Sequence, residues 1–386
     1  MTNIFNESGN NNHLCVLLED LEMLEDPRTA SLRRVSYGIV LPTICCLGII
    51  GNIFNLIVLT RKNMRGTAYI YMRGYSAAAL LAILFCVPFA SRVLIHKETG
   101  RWNNWPQAFY HAHLELFLGN GCLGVGVMML LALTVERYVS VCHPGQHPQP
   151  LCGPPHLVVT LIPMVTFLVY LPNVFRGEIT TCLVSFGGSL IYQKRDNSTF
   201  MHSIFYQIYK VVLEVVFKVA PIILLAGFNL RIMIVYRKSC ERRRRMTLSR
   251  TMHSGDEDLR IFSEERRLIL LLSSTSIIFL VCVSPMVILN VTLSDSNLTL
   301  YPYQVFRALA NLLEIINYSI TFYIYCLFSE DFRNTLIQTL KWPWCKAARD
   351  KHKLSTKRSL NPRPTIIAAS PTTTLATSRH ASRTSV

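Results

Sequence analysis

The sequence predicts an all-α membrane protein, a bundle of seven transmembrane helices followed by a short amphipathic eighth. Three observations predict it. Of 386 residues, 51% are hydrophobic and only 16% charged, against about 25% charged in a soluble domain, and the mean hydropathy is +0.31. Long apolar runs recur along the chain. Lys and Arg gather in alternate connecting segments. Disordered, collagen-like and disulfide-scaffold classes are excluded by the same composition.

A hydrocarbon core about 30 Å thick needs about 20 apolar residues per helix. The runs that meet this are Tyr37–Leu59, Ala68–Leu94, Phe109–Val141, Leu157–Phe175, Ile204–Val235, Leu268–Val291 and Tyr303–Leu327. The first and sixth are the clearest, the fourth is rich in proline, and the third and fifth carry charges. None alternates with a period of two, so helices fit and barrel strands do not. Pro88, Pro172, Pro221 and Pro285 fall within the runs, where proline removes a backbone hydrogen bond and permits a kink. Residues 1–36 form a leading segment and 37–327 the helical domain. Residues 328–345 are a membrane-proximal amphipathic stretch, and 346–386 a Ser/Thr/Pro/Ala-rich tail expected to be disordered. The opening MTNIFNESGNNN has no basic region followed by an apolar one, so the first span is expected to serve as an uncleaved signal.

Orientation follows from charge. Arg61, Lys62 and Arg65, the fifth loop with its run Arg242–Arg245, and the tail are basic, whereas the leading segment carries Glu19, Asp20, Glu22, Glu25 and Asp26. The positive-inside bias places the N-terminus outside and the C-terminus in the cytosol, which seven crossings also require. Glycosylation triplets at Asn6, Asn197 and Asn297 fall on the expected outer side. The net charge of +16 then reflects cationic loops facing anionic lipid, and no nucleic-acid partner is implied.

Several motifs resemble those of rhodopsin-like (class A) G-protein-coupled receptors. Gly51-Asn52 lies in the first helix and Leu84-Phe85-Cys86-Val87-Pro88-Phe89 ends the second. Leu133-Thr134-Val135-Glu136-Arg137-Tyr138 closes the third and is followed by Cys142-His143-Pro144. Pro221, Cys282-Val283-Ser284-Pro285, and Tyr325-Cys326-Leu327-Phe328 with Phe332-Arg333 complete the set. Within that family the chain looks most like invertebrate FMRFamide-like neuropeptide receptors. The resemblance implies a plasma-membrane receptor for an extracellular ligand, a short neuropeptide above all, that activates a heterotrimeric G protein by population shift. A non-signalling or partner-dependent seven-helix protein is the alternative. Neither is an enzyme, and no cofactor or metal is implied.

The resemblance also assigns roles. Glu136, Arg137 and Tyr138, with Glu265 at the base of the sixth helix, are expected to gate coupling, and Pro221, Pro285 and Tyr325 to serve the switch. Departures are equally specific. The helix-two Asp that binds sodium in the family reads Ala79, and its helix-three partner reads Gly126. The helix-six Trp reads Val283, and the Asn-Pro of helix seven reads Thr321-Phe322. A sodium-linked inactive state is therefore not expected.

Ionisable groups inside spans face protein interior or water. Arg92, Glu115, Glu214, Lys218, Arg307, Asn311 and Glu314 occupy the outer halves. They are expected to line a ligand pocket together with Gly119, or else to neutralise one another as Glu214–Lys218 and Arg92–Glu115. Gly119-Asn120 replaces the aspartate of amine receptors, so a monoamine is disfavoured. His111 and His113 lie two apart, on different sides of a helix, and are expected to be solvated or near lipid headgroups.

The family ties helix three to the second outer loop by a disulfide, but here the helix position is Ala112 while the loop cysteine, Cys182, is kept. Of twelve cysteines, Cys15 and Cys182 remain on the oxidising side, and a Cys15–Cys182 bridge is expected, the alternative being two free or intermolecular thiols. In the tail, Cys345 suits palmitoylation. Phosphorylated Ser/Thr would suit arrestin, and Thr384-Ser385-Val386 matches the end of a PDZ ligand.

Overall fold

The computed structural model describes residues 27–64, 66–95, 101–143, 153–183, 190–249, 256–292 and 300–341, with backbone alone at 27, 94–95, 101, 182–183, 243–249, 256–268 and 272. Cys15, Asn6, Asn297, Cys345 and the tail lie outside the described residues, as do the side chains of Cys182 and Glu265.

Seven spans follow in chain order. They are α1 (Arg28–Leu59), α2 (Thr67–Ile95), α3 (Trp105–Cys142), α4 (Pro155–Tyr170), α5 (Ile204–Arg242), α6 (Asp256–Thr292) and α7, a bent pair Tyr301–Ser319 and Thr321–Phe328. Helix α8 covers residues 330–341. The chain divides into two units, 1–337 and 338–386, and of the second only the helical residues 338–341 are described.

The spans agree with the apolar runs to within a few residues except at the start of α1, the end of α5 and the start of α6, where the helices run on beyond the apolar residues. The first turns of α1 are polar, yet they remain helical because Thr29 is buried and the Arg28 guanidinium lies 4.8 Å over the Tyr301 ring. One expectation needs correction. Pro172 lies within the fourth span, Pro155–Arg176, but not in its α-helical part: α4 ends at Tyr170, and Pro172 opens the 3₁₀ turn Leu171–Arg176 that completes the span. There its missing N–H has no helical partner to lose. The proline inside α4 is Pro163.

Lipid tails are as apolar as leucine, so membrane helices associate through close packing of small residues and through hydrogen bonds. Helix α3 packs on α2, α4 and α5. A Cβ at Gly48 would meet Ser319 Oγ of α7, and one at Gly124 would meet the Tyr170 ring at 2.8 Å. Asn52 donates to the carbonyls of Gly48 (2.9 Å) and Tyr318 (3.0 Å), tying α1 to α7. Helix α7 bends by 48° at Ile320 although no proline is there. Two side chains account for it. Asn52 competes for the Tyr318 carbonyl, and Ser319 Oγ bonds back to the Ile315 carbonyl (2.9 Å), both of which perturb the ladder at that turn.

At one end of the bundle, a three-stranded antiparallel sheet caps α3. Strands β2 (Gly177–Leu183) and β3 (Leu190–Asp196) form a hairpin, and β1 (Arg101–Trp102) joins β3, with Trp102 opposite Tyr192. The loop is fixed to α3 by noncovalent contacts. Trp102 is buried and stacks on His111 (4.8 Å), His113 Nδ1 lies 2.8 Å from the Val174 carbonyl, and Gly177 packs directly on the Ala112 backbone. A Cβ at Gly177 would collide with the Ala112 carbonyl oxygen.

Backbone cannot yield as a flexible side chain does, so Gly177→Ala should destabilise the fold by about 1–3 kcal/mol. The check is the thermal unfolding midpoint of the purified protein. An unchanged midpoint would mean that the hairpin moves freely over α3.

Candidate functional site

At the hairpin end, charged groups turn into the bundle. Glu115 Oε2 lies 3.3 Å from His111 Nδ1, with about 10% of each side chain exposed. His111 is therefore neither solvated nor near headgroups as expected. A π-helical turn, Tyr110–Leu114, rotates its ring inward against Trp102. Arg92 acts on Glu115 electrostatically while its guanidinium lies 5.1 Å over the Phe89 ring. On the facing wall, Lys218 pairs with Glu214 at 3.3 Å, and Glu314 of α7 feels both. Asn311 donates to Tyr37 Oη at 2.8 Å, and Tyr37 meets Phe89 edge-on. Arg307 is exposed. A Cβ at Gly119 would have nothing within 4 Å, so α3 faces open space there.

The expected pocket residues thus form two local groups, Arg92–His111–Glu115 and Glu214–Lys218–Glu314, with Asn311 engaged by α1 and Arg307 apart from both. Further π-helical turns at Arg34–Val40 and Val215–Val219 lie in α1 and α5 at the same end. The second precedes Pro221, whose ring cannot accommodate a regular preceding turn. Such turns often mark functional positions.

At the opposite end, Glu136 interacts with Arg137 and Thr67, and the Tyr138 ring packs on Phe228 (5.0 Å) and His143 (5.7 Å). Tyr325 is buried and packs on Phe332 (5.6 Å). Arg333 donates to the carbonyls of Cys326 (3.0 Å) and Leu327 (2.9 Å), satisfying the end of α7 where α8 begins. Asn229 of α5 donates to Ser276 Oγ of α6 at 2.8 Å, a link that no local pattern announces. Pro285 lies inside α6 beside the buried Val283. A small, mainly apolar cavity is lined by Tyr75, Leu130, Leu133, Asn317, Ile324 and Tyr325 among others, and Asn317 Nδ2 is buried without a protein partner.

The model of the seven-transmembrane receptor family named for rhodopsin matches residues 51–320. The chain belongs to the rhodopsin family. It is 33% identical over 340 residues to a probable G-protein coupled receptor of Caenorhabditis elegans, covering 86% of this chain and 75% of that receptor. It is 24% identical to the FMRFamide receptor of Drosophila melanogaster (78% of this chain, 53% of that one) and 22% identical to the sex peptide receptor of the same fly (78% and 71%). The protein is a multi-pass G-protein-coupled receptor with invertebrate neuropeptide receptors among its relatives.

At the centre of this rhodopsin-family bundle, the positions that read Ala79 and Gly126 are both buried, and a tyrosine lies against Gly126. The Tyr318 ring stacks on Tyr75 (5.9 Å between centroids, 14° between planes), and its hydroxyl donates to the Leu123 carbonyl at 3.0 Å. A Cβ at Gly126 would meet Tyr318 Cε1 at 2.8 Å. Sequence reading missed Tyr318 and Tyr75. The available signal was the loss of side-chain volume at Gly126, opposite a bulky residue on α7.

Gly126→Ala in this receptor should cost about 1–3 kcal/mol by overpacking. In a Tyr318→Leu background the same change should cost less, because contacting residues couple. Thermal unfolding of the four proteins checks the cycle, and equal costs would remove the contact. The wild-type midpoint should be the same in sodium and potassium chloride.

Proposed function

We propose that this receptor takes a short extracellular peptide at the hairpin end and activates a heterotrimeric G protein at the α8 end, in the plasma membrane. The observation that carries the reading is the gathering of ionisable groups at the hairpin end, Glu115 with His111 and Glu214 with Lys218, with room beside Gly119 one turn from Glu115 on α3. Membrane interiors tolerate ionisable groups where they meet one another, water or a polar ligand. The similarity to the FMRFamide and sex peptide receptors supports a peptide. The basic residues near the α8 end support its facing the cytosol. Asn197, whose Oδ1 accepts from Phe200 N in the turn after β3, is a glycosylation site in this orientation.

The mechanism is population shift: a ligand that prefers the state with α6 displaced draws the receptor into it. Arg137, beside Glu136, is the group released towards the G protein, with Glu265 of α6 as its second partner in the inactive state. Pro221 and Pro285 are the points at which α5 and α6 bend, and the Asn229–Ser276 bond couples them. Tyr325 leaves Phe332 as α7 adjusts. The replacements at Val283 and Thr321-Phe322 favour a second reading, a receptor that captures ligand without signalling.

The test is a peptide-library screen on cells displaying the receptor with a promiscuous G protein. Activation by a cationic peptide is expected, and silence of a broad library at confirmed surface expression would remove the peptide reading. Glu314→Gln should lower the potency of that peptide about tenfold or more without lowering surface expression, since a hydrogen bond to a charged group contributes about 1.5–3 kcal/mol. Purified receptor with Glu265→Ala should raise basal nucleotide exchange. A receptor that binds peptide yet never stimulates exchange would favour the second reading.

A further inference from the structure

The charged groups at the hairpin end are unequally divided between two walls. On the α5–α7 wall, Glu214 and Glu314 outnumber Lys218. On the other wall, Arg92 of α2, Arg176 at the end of the 3₁₀ turn and Lys194 of β3 act on one another and on Glu115 and Asp196. Three cations there meet two carboxylates, and His111 is already engaged with Glu115. Neither Arg176 nor Lys194 stands in an apolar run, so neither is legible as a pocket residue from hydropathy.

Backbone geometry aims this second group into the bundle. Alternate residues of a strand share a face, so Lys194 shares one with Tyr192 and Asp196. Tyr192 is paired with the buried Trp102, which packs on His111 of α3. Arg176 is fixed at the hairpin base, where its carbonyl accepts from Asn197 N at 2.9 Å. The Nε atoms of Arg92 and Arg176 are both buried with no hydrogen-bond partner, and buried donors are ordinarily satisfied. Burial pushes the Lys194 ammonium below its ordinary range. Arg92 and Arg176 act in the same direction, while Glu115 and Asp196 oppose it. The two groups are near one another: Cys86 of α2 lies within electrostatic reach of both Glu115 and Glu314.

We infer that Arg92, Arg176 and Lys194 form an anion subsite that receives a carboxylate of the peptide, while Glu214 and Glu314 receive its cationic group. The inference rests on the peptide reading above and adds the charge pattern of the ligand. Guanidinium groups suit this task because their planar fork binds a carboxylate through paired, charge-assisted hydrogen bonds. The carboxylate has two possible sources, the peptide C-terminus or an Asp or Glu side chain.

The experiment uses the full-length receptor on cells and a library in which every peptide is made as the C-terminal acid and the C-terminal amide, with Asp/Glu and Asn/Gln versions of each. The active peptide should carry a carboxylate, and neutralising it should raise EC50 about tenfold or more. The acid/amide pair identifies the terminus and the Asp/Asn or Glu/Gln pair a side chain. Arg176→Gln and Lys194→Gln, compared at equal surface expression, should each raise EC50 for the charged peptide and leave EC50 for its neutralised form nearly unchanged. A merely structural role would weaken both forms alike and so overturn the assignment. An active peptide indifferent to loss of its carboxylates would also overturn it, with the peptide reading intact. A library with no active member would remove the peptide reading and this inference with it.

Discussion

Tyr318 is the side chain on which the packing of the bundle most depends. Its ring stacks on Tyr75 of α2 and presses against Gly126 of α3, its hydroxyl binds the Leu123 carbonyl, and its own carbonyl accepts from Asn52 of α1. Four helices therefore meet at one residue. In a bilayer, where apolar side chains gain nothing by leaving lipid for protein, such close packing and directed hydrogen bonds hold helices together. The same residue stands beside the bend of α7, so the shape of that helix and the filling of the centre have one origin.

The hairpin solves a different problem by related means. With Ala112 on α3, no cysteine there can anchor the loop. The anchoring instead uses a buried tryptophan stacked on a histidine, a short strand added to the hairpin edge, and a glycine that lets two backbones touch. These contacts hold the hairpin that carries Lys194, and Arg176 at its base, against α3.

The two ends of the bundle are differently constructed. At the hairpin end, ionisable groups approach in small clusters, and three helices carry π-helical turns. At the α8 end, aromatic packing of Tyr325 on Phe332 and the Arg333 contacts to the α7 carbonyls close the structure. Between them, the Asn229–Ser276 bond links α5 to α6, and a small cavity lies among α2, α3, α6 and α7.

The sequence by itself determined the number of spans and the apolar part of each, because hydrocarbon thickness fixes the length of an apolar run, but not how far α1, α5 and α6 continue beyond it. It also determined the family, because Glu136-Arg137-Tyr138 and its companion motifs are contiguous in the chain. The i, i+4 partnership of Glu214 and Lys218 was legible for the same reason: helical spacing alone brings them together. Other features depended on residues far apart in sequence. The inward turn of His111, the place of Pro172 in a 3₁₀ turn, the Asn311–Tyr37 bond and the meeting of Arg92, Arg176 and Lys194 are set by loop geometry and by the rotation of each helix about its axis. Composition and periodicity carry no record of that rotation. The packing of Tyr318 against Gly126 was decided in the same way, since the two residues lie on helices that only tertiary packing brings together.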